Sequence, residues 1–545
     1  LTAWRLDEVR DLLAEVAASG GYAAGFVAYG ASPAFDPALV ALPADGEPLA
    51  SFHFFEKPPR FYKELESAWG AKLEWTPDID SDCFAAQFAQ IKMLIGQGVT
   101  YQVNFTFRLN SSSKMDLARL FSQLAADEPP PFASLFRSPK FSIASLSPEM
   151  FFEWHGSQVR CRPMKGTAPR QATRELDAIQ SEALRSSVKD RAENLMVVDM
   201  IRNDLGRIAK VGSVSVPALF EVESYPTVLQ MTSTVEAEFG GGLCELFTAL
   251  FPCASVVGAP KVSTMGEISR LESSPRGVYT GAIGWVAPGS RAKFSVAIRT
   301  ITDMKDRDSL SYGVGSGIVW DSDFESEWRE CLLKGEALRR PSQPWGLLET
   351  LRWSKAEGYW LLDHHVARLE RSARELGVLL DPGKVLDELM RSADRFEEDT
   401  RVRLIVFRDG RVEVSGTELA ESPSEIQARL ALQPVSSHDP ALRHKTNRRE
   451  FYERCVDHSG VDEALLWNER GEATEFCNGN LVALIDGRMV TPPVECGLLE
   501  GTMRAELLRL GEVKEEVVVL EDLSRAEKLF RINSVRGWQR VRLLR

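Results

Sequence analysis

No run of about 18 apolar residues occurs in the 545-residue chain, so its sequence offers no membrane-spanning helix. No C-x-x-C pair occurs either. The eight cysteines, at 83, 161, 244, 253, 331, 455, 477 and 496, are scattered. That spacing argues against a disulfide framework or a cysteine-based zinc site and fits a reducing cytoplasm. Each thiol reads as a small buried apolar residue. Positive charge is in the minority: 65 Lys and Arg face 78 Asp and Glu, a net charge of −13. No nucleic-acid footprint is expected, and an anionic substrate would need a local cluster of cations. The opening residues Leu1-Thr2-Ala3-Trp4-Arg5 lack signal-peptide character, and the absence of an initial Met leaves the natural start open. There is no tandem repeat and no long low-complexity tract.

What is present is ordinary globular composition, 44% hydrophobic and 26% charged. The length suggests roughly two to four domains. Arg339-Arg340-Pro341-Ser342-Gln343-Pro344-Trp345-Gly346 reads as a linker between a front domain, 1–338, and a back domain, 347–545, with 339–346 joining them. In front, Gly25–Tyr29, Met150–Trp154, Gly281–Val286 and Phe294–Arg299 read as strands, the last two joined by a hairpin-type connection. Arg174–Arg191 and Asp321–Arg339 have helical spacing. In the back, Asp409-Gly410 and Asp486-Gly487 mark hairpins, and Leu361–Leu376 reads as a helix with Leu362, Val366, Leu369, Ala373 and Leu376 on one face. Hairpins beside long helices predict α+β layering rather than a doubly wound parallel sheet.

Three front features carry chemistry. Glu327, Glu330 and Lys334 share a helix face, where two carboxylates and a cation suit a divalent metal beside an anionic ligand. Asp190 and Glu193 offer carboxylates from a second helix, and oxygen ligands from two helices suit Mg²⁺. Lys165, in Arg162-Pro-Met-Lys-Gly-Thr167, becomes a usable nucleophile if desolvated. Taken singly, each is as readily a solvated surface feature.

Together these residues resemble the chorismate-utilising family of anthranilate, isochorismate and aminodeoxychorismate synthases. The matching runs are Tyr101-Gln-Val-Asn-Phe105, Ser147-Pro-Glu-Met-Phe151, Arg162-Pro-Met-Lys-Gly-Thr167, Val198-Asp-Met-Ile-Arg-Asn-Asp-Leu-Gly206 and Phe251-Pro-Cys-Ala-Ser-Val-Val-Gly-Ala-Pro-Lys261. Gly277-Val-Tyr-Thr-Gly-Ala-Ile-Gly284, Ala297-Ile-Arg-Thr300, Gly313-Val-Gly-Ser-Gly-Ile318 and Glu327-Trp-Arg-Glu330 follow in the family's order. The resemblance implies antiparallel sheets with outer helices. It makes Lys165 the attacking group, as in aminodeoxychorismate synthases, where anthranilate synthases carry Ala. It makes Glu149 the general acid, and it places Gln102 where isochorismate synthases use a water-activating Lys. It assigns Glu193 and Glu330 as Mg²⁺ ligands with Asp190 and Glu327 nearby. Arg299, Tyr279, Thr167, Lys334 and the Gly315-Ser316-Gly317 backbone become contacts to chorismate. One departure stands out: relatives carry His in an M-H-L-V-S run, where this chain has Leu229-Gln230-Met231-Thr232-Ser233. It predicts either a weakened front site or a subgroup variation.

The back domain resembles the class IV pyridoxal-phosphate enzymes, which include branched-chain aminotransferases and aminodeoxychorismate lyase. The runs are Leu348-Glu-Thr-Leu-Arg352, His364-His-Val-Ala-Arg-Leu369, Leu442-Arg-His-Lys-Thr-Asn-Arg448, Ala473-Thr-Glu-Phe-Cys-Asn-Gly-Asn480, Glu500-Gly-Thr-Met-Arg504 and Arg531-Ile-Asn-Ser-Val-Arg-Gly537. The resemblance implies an aminotransferase-like α/β domain in which Lys445 holds the cofactor and moves the proton. Glu475 pairs with the pyridine nitrogen. Arg368, Ser534 and the Thr502 and Met503 amides hold the phosphate, and His365 is structural. The linker enters almost directly at Glu349, without the two strands that relatives place first, which predicts an exposed strand edge or an altered dimer interface. The fusion implies two consecutive reactions, chorismate to 4-amino-4-deoxychorismate to 4-aminobenzoate, in folate synthesis. No Cys sits in a G-x-C-x-G setting, so ammonia is expected free or from a separate glutamine amidotransferase subunit. A homodimer through the back domain is one assembly this allows. The alternatives keep the front reading but make the back an amino-acid aminotransferase or a non-catalytic binding domain.

Overall fold

A computed structural model describes all residues except 45, 59–72, 113–114, 126–128, 170–173, 225–227, 337, 339–344, 422 and 545. Most of the expected linker therefore lies outside the described residues. The chain divides into two compact units, Leu1–Pro169 with Ser181–Ser342, and Arg170–Gln180 with Gln343–Arg545.

The first unit is built on two antiparallel sheets. The larger runs Thr2–Ala3, Ala50–Phe55, Tyr22–Val27, Ala282–Ala287, Arg291–Val296, Met150–His155, Gln158–Arg162, Val228–Glu238 and Met164–Pro169, with Ser215–Ser224 also on Val228–Glu238. The smaller runs Gly258–Ala259, Gln102–Ser111, Leu310–Ile318, Thr300–Met304, Phe141–Ser147 and Phe132–Arg137, with Thr76–Pro77 on Gln102–Ser111. Phe35, Phe151, Phe152, Phe247, Phe251 and Phe294 pack together at the heart of one core. Phe151 and Phe152 are neighbours in sequence, and both are buried. A plain strand would send them to opposite faces. A register shift between Met150 and Glu153 reconciles them. A second shift, between Met164 and Thr167, lifts Lys165 and Gly166 out of the ladder. Bulges of this kind re-aim side chains next to functional sites.

Two sequence expectations change. The helix over Arg174–Arg191 is two helices, Arg174–Ser186 and Val188–Gly206, because the Ser187 side chain caps the second by accepting from the Asp190 N–H at 3.3 Å. The strand over Phe294–Arg299 is instead Arg291–Val296 and stops before Arg299, whose φ of 50° lies in the left-handed region and ends the extended run.

In the second unit, a four-stranded antiparallel sheet runs Gly358–Tyr359, Gly346–Ser354, Thr400–Phe407 and Val412–Glu418. A mixed sheet runs Ala473–Phe476, Glu463–Trp467, Glu425–Leu430, Gly537–Leu543, Lys528–Asn533, Gly479–Ile485, Arg488–Thr491 and Lys514–Glu515. The helix Leu362–Leu376 ends at Gly377, with φ of 68°. Its buried residues include His365, Arg368 and Ser372 beside Leu369 and Ala373, so the inward face is partly polar. The exposed edge predicted for Gly346–Ser354 is covered. Leu348 N–H donates to the Lys445 carbonyl at 2.9 Å, and Asn447 N–H donates to the Gly346 carbonyl at 3.1 Å. The Asn447 side chain accepts from the Gly346 N–H at 3.0 Å. The segment that covers the edge is the one that carries Lys445.

Candidate active sites

In the first unit the candidate acid, Glu149, lies just before one bulge and the candidate amine, Lys165, inside the other. Glu149 is buried, its Oε1 has no hydrogen-bond partner, and burial pushes its carboxyl up to about 7 against the opposing pull of Ser255 and Lys165. A carboxylic acid that keeps its proton near neutrality is a competent proton donor. Lys165 lies 3.8 Å from Glu193. Gly317 shows what faces it: a Cβ there would fall 2.5 Å from the Gln102 amide nitrogen and 2.8 Å from the Lys165 ammonium. Gln102 and Lys165 therefore meet over bare backbone, where only glycine leaves room for a ligand. The Ser316 hydroxyl next to it is buried without a partner. Lys334 Nζ donates to the Gly315 carbonyl at 2.7 Å and pairs with Glu330 at 2.7 Å, fixing the helix Phe324–Glu336 to this strand. Tyr279 is buried against Gly313, with the Arg108 guanidinium 5.1 Å from its ring. Arg299 is exposed.

Gln230 explains its own departure from the family pattern. It accepts from the Thr167 hydroxyl at 2.9 Å and donates to the Gly166 carbonyl at 2.9 Å, clamping the bulge immediately after Lys165. Gly166 needs its φ of 92°, and a Cβ there would press on Asp190 at 3.0 Å.

Among the described residues no three ligand-type side chains converge on one metal position. The acceptors of Glu193 and Glu330 face Lys165 and Lys334 instead. Glu327 accepts from the Ser322 hydroxyl at 2.7 Å. Burial raises Glu193, with Asp190 and Glu327 adding to the rise and the lysines Lys165 and Lys189 opposing it. Burial would also raise Glu330, but Lys334 outweighs it and holds the carboxyl low. The donors are all carboxylate oxygens around partly desolvated charge, which fits a hard cation in kind.

The second unit contains a cavity of about 360 Å³ whose walls include Lys445, Glu475, Arg368, Thr502, Met503 and Ser534. Desolvation, reinforced by Arg449 and Arg368, lowers Lys445 to about 7. Its amine has no hydrogen bond or ion pair to a described residue, as befits an amine that awaits a carbonyl. Burial pushes Glu475 up to about 8 although the Tyr452 hydroxyl reaches it at 3.3 Å and the Asn480 amide donates to it at 3.3 Å. A buried acid with hydrogen-bond donors but no ion pair among the described residues suits a protonated ring nitrogen. Thr502 and Met503 open the helix Thr502–Leu510, whose first N–H groups favour an anion. Arg368 is held by Glu349, with Nε to Oε1 at 2.9 Å and a second short contact, and gives Nη1 to the Glu500 carbonyl at 3.2 Å. Burial would raise Glu349, but Arg368 and His365 outweigh it and bring it to about 2. His365 Nδ1–H donates to the Glu349 carboxylate at 2.6 Å, and its Nε2 sits 3.4 Å from the Thr502 hydroxyl, so it braces the pair. These residues fit pyridoxal phosphate. Tyr452 and Asn480 escaped the sequence reading. Asn480 was within reach of it, since the hairpin pairing sets it opposite Glu475.

The architecture fixes the class: a front unit built like chorismate-utilising enzymes and a back unit with a class IV aminotransferase-like fold. The chain belongs to the chorismate binding enzyme family, whose model matches residues 60–340, and residues 346–544 match the class IV aminotransferase family. Aminodeoxychorismate synthase component 1 of Klebsiella aerogenes is 39% identical over 268 residues, 49% of this chain and 58% of that protein. An anthranilate synthase component 1 of Haloarcula marismortui is 36% identical over 265 residues, 48% of this chain and 54% of that protein. The solved anthranilate synthase component I of Streptococcus pneumoniae matches with a TM-score of 0.53 at 25% identity, covering 61% of this chain and 85% of that one. The chain thus spans little more than half the length of these two sequence relatives. No helix among the described residues is long and apolar enough to cross a membrane.

Proposed function

We propose that the chain converts chorismate to 4-aminobenzoate in two steps, one in each half. The front half resembles both aminating and ortho-aminating relatives at similar identity, so overall likeness does not choose between them. The observation that carries the reading is Lys165, mounted on a bulge, facing Gly317 and acting by its charge on the buried acid Glu149. The Lys165 amine attacks ring C2, the C1=C2 pair moves to C1=C6, the C5=C6 pair moves to C4=C5, and the C4 hydroxyl leaves. Glu149 gives that hydroxyl its proton, so it departs as water. Ammonia, free or from a separate glutaminase subunit, then attacks C4 and expels Lys165 from C2. The proton lost from the new ammonium returns to Glu149. Gln102 is uncharged and does not activate water. A Mg²⁺ held by Glu193 and Glu330 would neutralise the ring carboxylate of the substrate.

In the back half, Lys445 with its lowered proton affinity removes the C4 proton of 4-amino-4-deoxychorismate. The C3–O bond breaks, pyruvate leaves as its enol, and the ring becomes aromatic. Pyridoxal phosphate, when bound, supplies the electron sink for the charge developing at C4, and Glu475 holds the proton that its ring nitrogen needs. Thr502, Met503, Ser534 and Arg368 would seat its phosphate.

Trapping tests the front step. With chorismate and Mg²⁺ but no ammonia, the intact chain should gain the mass of chorismate less one water, and proteolysis should map it to Lys165. Lys165→Ala should gain nothing. An adduct elsewhere, or production of anthranilate, would overturn the reading.

A further inference from the structure

The back cavity holds more positive charge than a cofactor phosphate accounts for. Six arginines line it. Two are neutralised within the protein, Arg368 by Glu349 and Arg531 by Glu463, with Gln539 as a further acceptor for Arg531. Arg449 gives Nη2 to the Cys477 carbonyl at 2.6 Å and lies over the Tyr452 ring at 4.7 Å. The other three have little to hold them. The guanidiniums of Arg401, which is exposed, and Arg403, which is half-buried, stand on the same face of Thr400–Phe407 and make no hydrogen bond or ion pair with a described residue. Among the described residues the Arg536 guanidinium reaches the Ala420 carbonyl alone. It is half-buried, and partial desolvation together with Arg401 and Arg531 as like charges lowers its pKa. The one carboxylate among the lining residues is Glu475. None of Arg401, Arg403 and Arg536 belongs to the phosphate set of Arg368, Ser534, Thr502 and Met503. Like charges gathered along this lining repel one another, and a bound anion relieves the repulsion.

We infer that Arg401 and Arg536 form an anion subsite that takes a second carboxylate of the substrate. The back site then selects an amino compound with two carboxylates over a monocarboxylate amino acid. The inference rests on the lyase reading and sharpens it, because the intermediate passed from the front reaction carries a ring carboxylate and an enolpyruvyl carboxylate. An alkyl side chain offers these guanidiniums nothing, whereas a carboxylate meets an arginine fork with two charge-assisted hydrogen bonds.

The test is a titration of the full chain loaded with pyridoxal phosphate, followed by the cofactor's visible absorption. That signal reports the back site alone. The probes are chorismate, a dicarboxylate with no amine, and benzoate, a monocarboxylate, in buffer free of Mg²⁺ and ammonium. The wild type should bind chorismate at least tenfold more tightly than benzoate. Arg401→Gln and Arg536→Gln should each weaken chorismate at least tenfold and change benzoate less than twofold. Equal losses for both probes, or an unchanged preference, would overturn the subsite. Cofactor bound per chain checks that each variant folds. If Arg536→Gln does not load, Arg536→Lys replaces it, and Arg401→Gln alone still decides. If the wild type releases no pyruvate from 4-amino-4-deoxychorismate but keeps the preference, and the variants lose it, the lyase reading fails and the subsite stands. If pyruvate is released with the same KM in wild type and variants, the subsite alone fails.

Discussion

Lys445, Glu475 and Glu149 share one physical history: each is ionisable, each has been taken out of water, and each has shifted toward its neutral form. The direction sets testable pH behaviour. For Lys445, lowered to about 7, the neutral amine that captures a carbonyl grows as pH rises through about 7. Stopped-flow uptake of pyridoxal phosphate by the cofactor-free chain should rise between pH 6 and 8 and then level off, whereas an ordinary lysine would keep accelerating beyond pH 9. For Glu149, raised to about 7, the donor proton is lost above that pH, so amination should decline on the alkaline side, and Glu149→Gln should all but abolish it. The same shift has a stability cost. The folded pKa lies above the unfolded one, so the penalty is absent below about pH 4, grows toward about 7 and is full beyond it. Glu149→Gln should therefore raise the melting temperature at pH 8, by up to the equivalent of about 3 kcal/mol, and leave it unchanged at pH 4. Gln230 belongs at this scale too. Its two hydrogen bonds to the Lys165 bulge are each worth about 1 kcal/mol, so Gln230→Ala should cost about 2 kcal/mol in unfolding and slow amination roughly 5- to 100-fold.

At the scale of elements, the site depends on irregularities. The shifts at Met150–Glu153 and Met164–Thr167 set Glu149 and Lys165, and the cap at Ser187 starts the helix that carries Asp190 and Glu193. Ser187→Ala should cost about 1 kcal/mol in thermal or chemical unfolding and loosen the carboxylates of that first turn. These irregularities mark where the sequence is hard to read. Alternation and helical spacing identify strands such as Met150–His155 and helices such as Leu362–Leu376, and short motifs identify Lys165, Lys445 and Glu475 without any structure. A bulge is a single extra residue. Its trace in the sequence, two adjacent buried phenylalanines, is legible only once the fold is known. Ser187 followed by Asp190 was a readable helix start, masked by apolar spacing that continues on both sides of it. The covered edge of Gly346–Ser354 could not be foreseen, because its partner, 445–447, lies about a hundred residues away and pairs through a side chain and two carbonyls. Separation along the chain likewise hides Gln230 from Gly166, 64 residues away, and Tyr452 from Glu475, 23 residues away.

At the scale of the molecule, an acidic chain gathers cations at its sites: Lys165 and Lys334, each paired with a glutamate, in front, and Lys445 with six arginines along the back cavity. Such local fields draw anionic intermediates that the net charge would repel. The proposed order of reactions follows from pairing a front half that aminates with a back half that aromatises. The most direct test of that order is product analysis of the purified chain with chorismate, Mg²⁺, an ammonium salt and pyridoxal phosphate, beside Lys165→Ala and Lys445→Ala. The account predicts 4-aminobenzoate and pyruvate in equal amounts from the wild type. Lys445→Ala should accumulate 4-amino-4-deoxychorismate without pyruvate, and Lys165→Ala should yield no 4-aminobenzoate. Pyruvate and 4-aminobenzoate from Lys445→Ala at the wild-type rate, or anthranilate from the wild type, would contradict it.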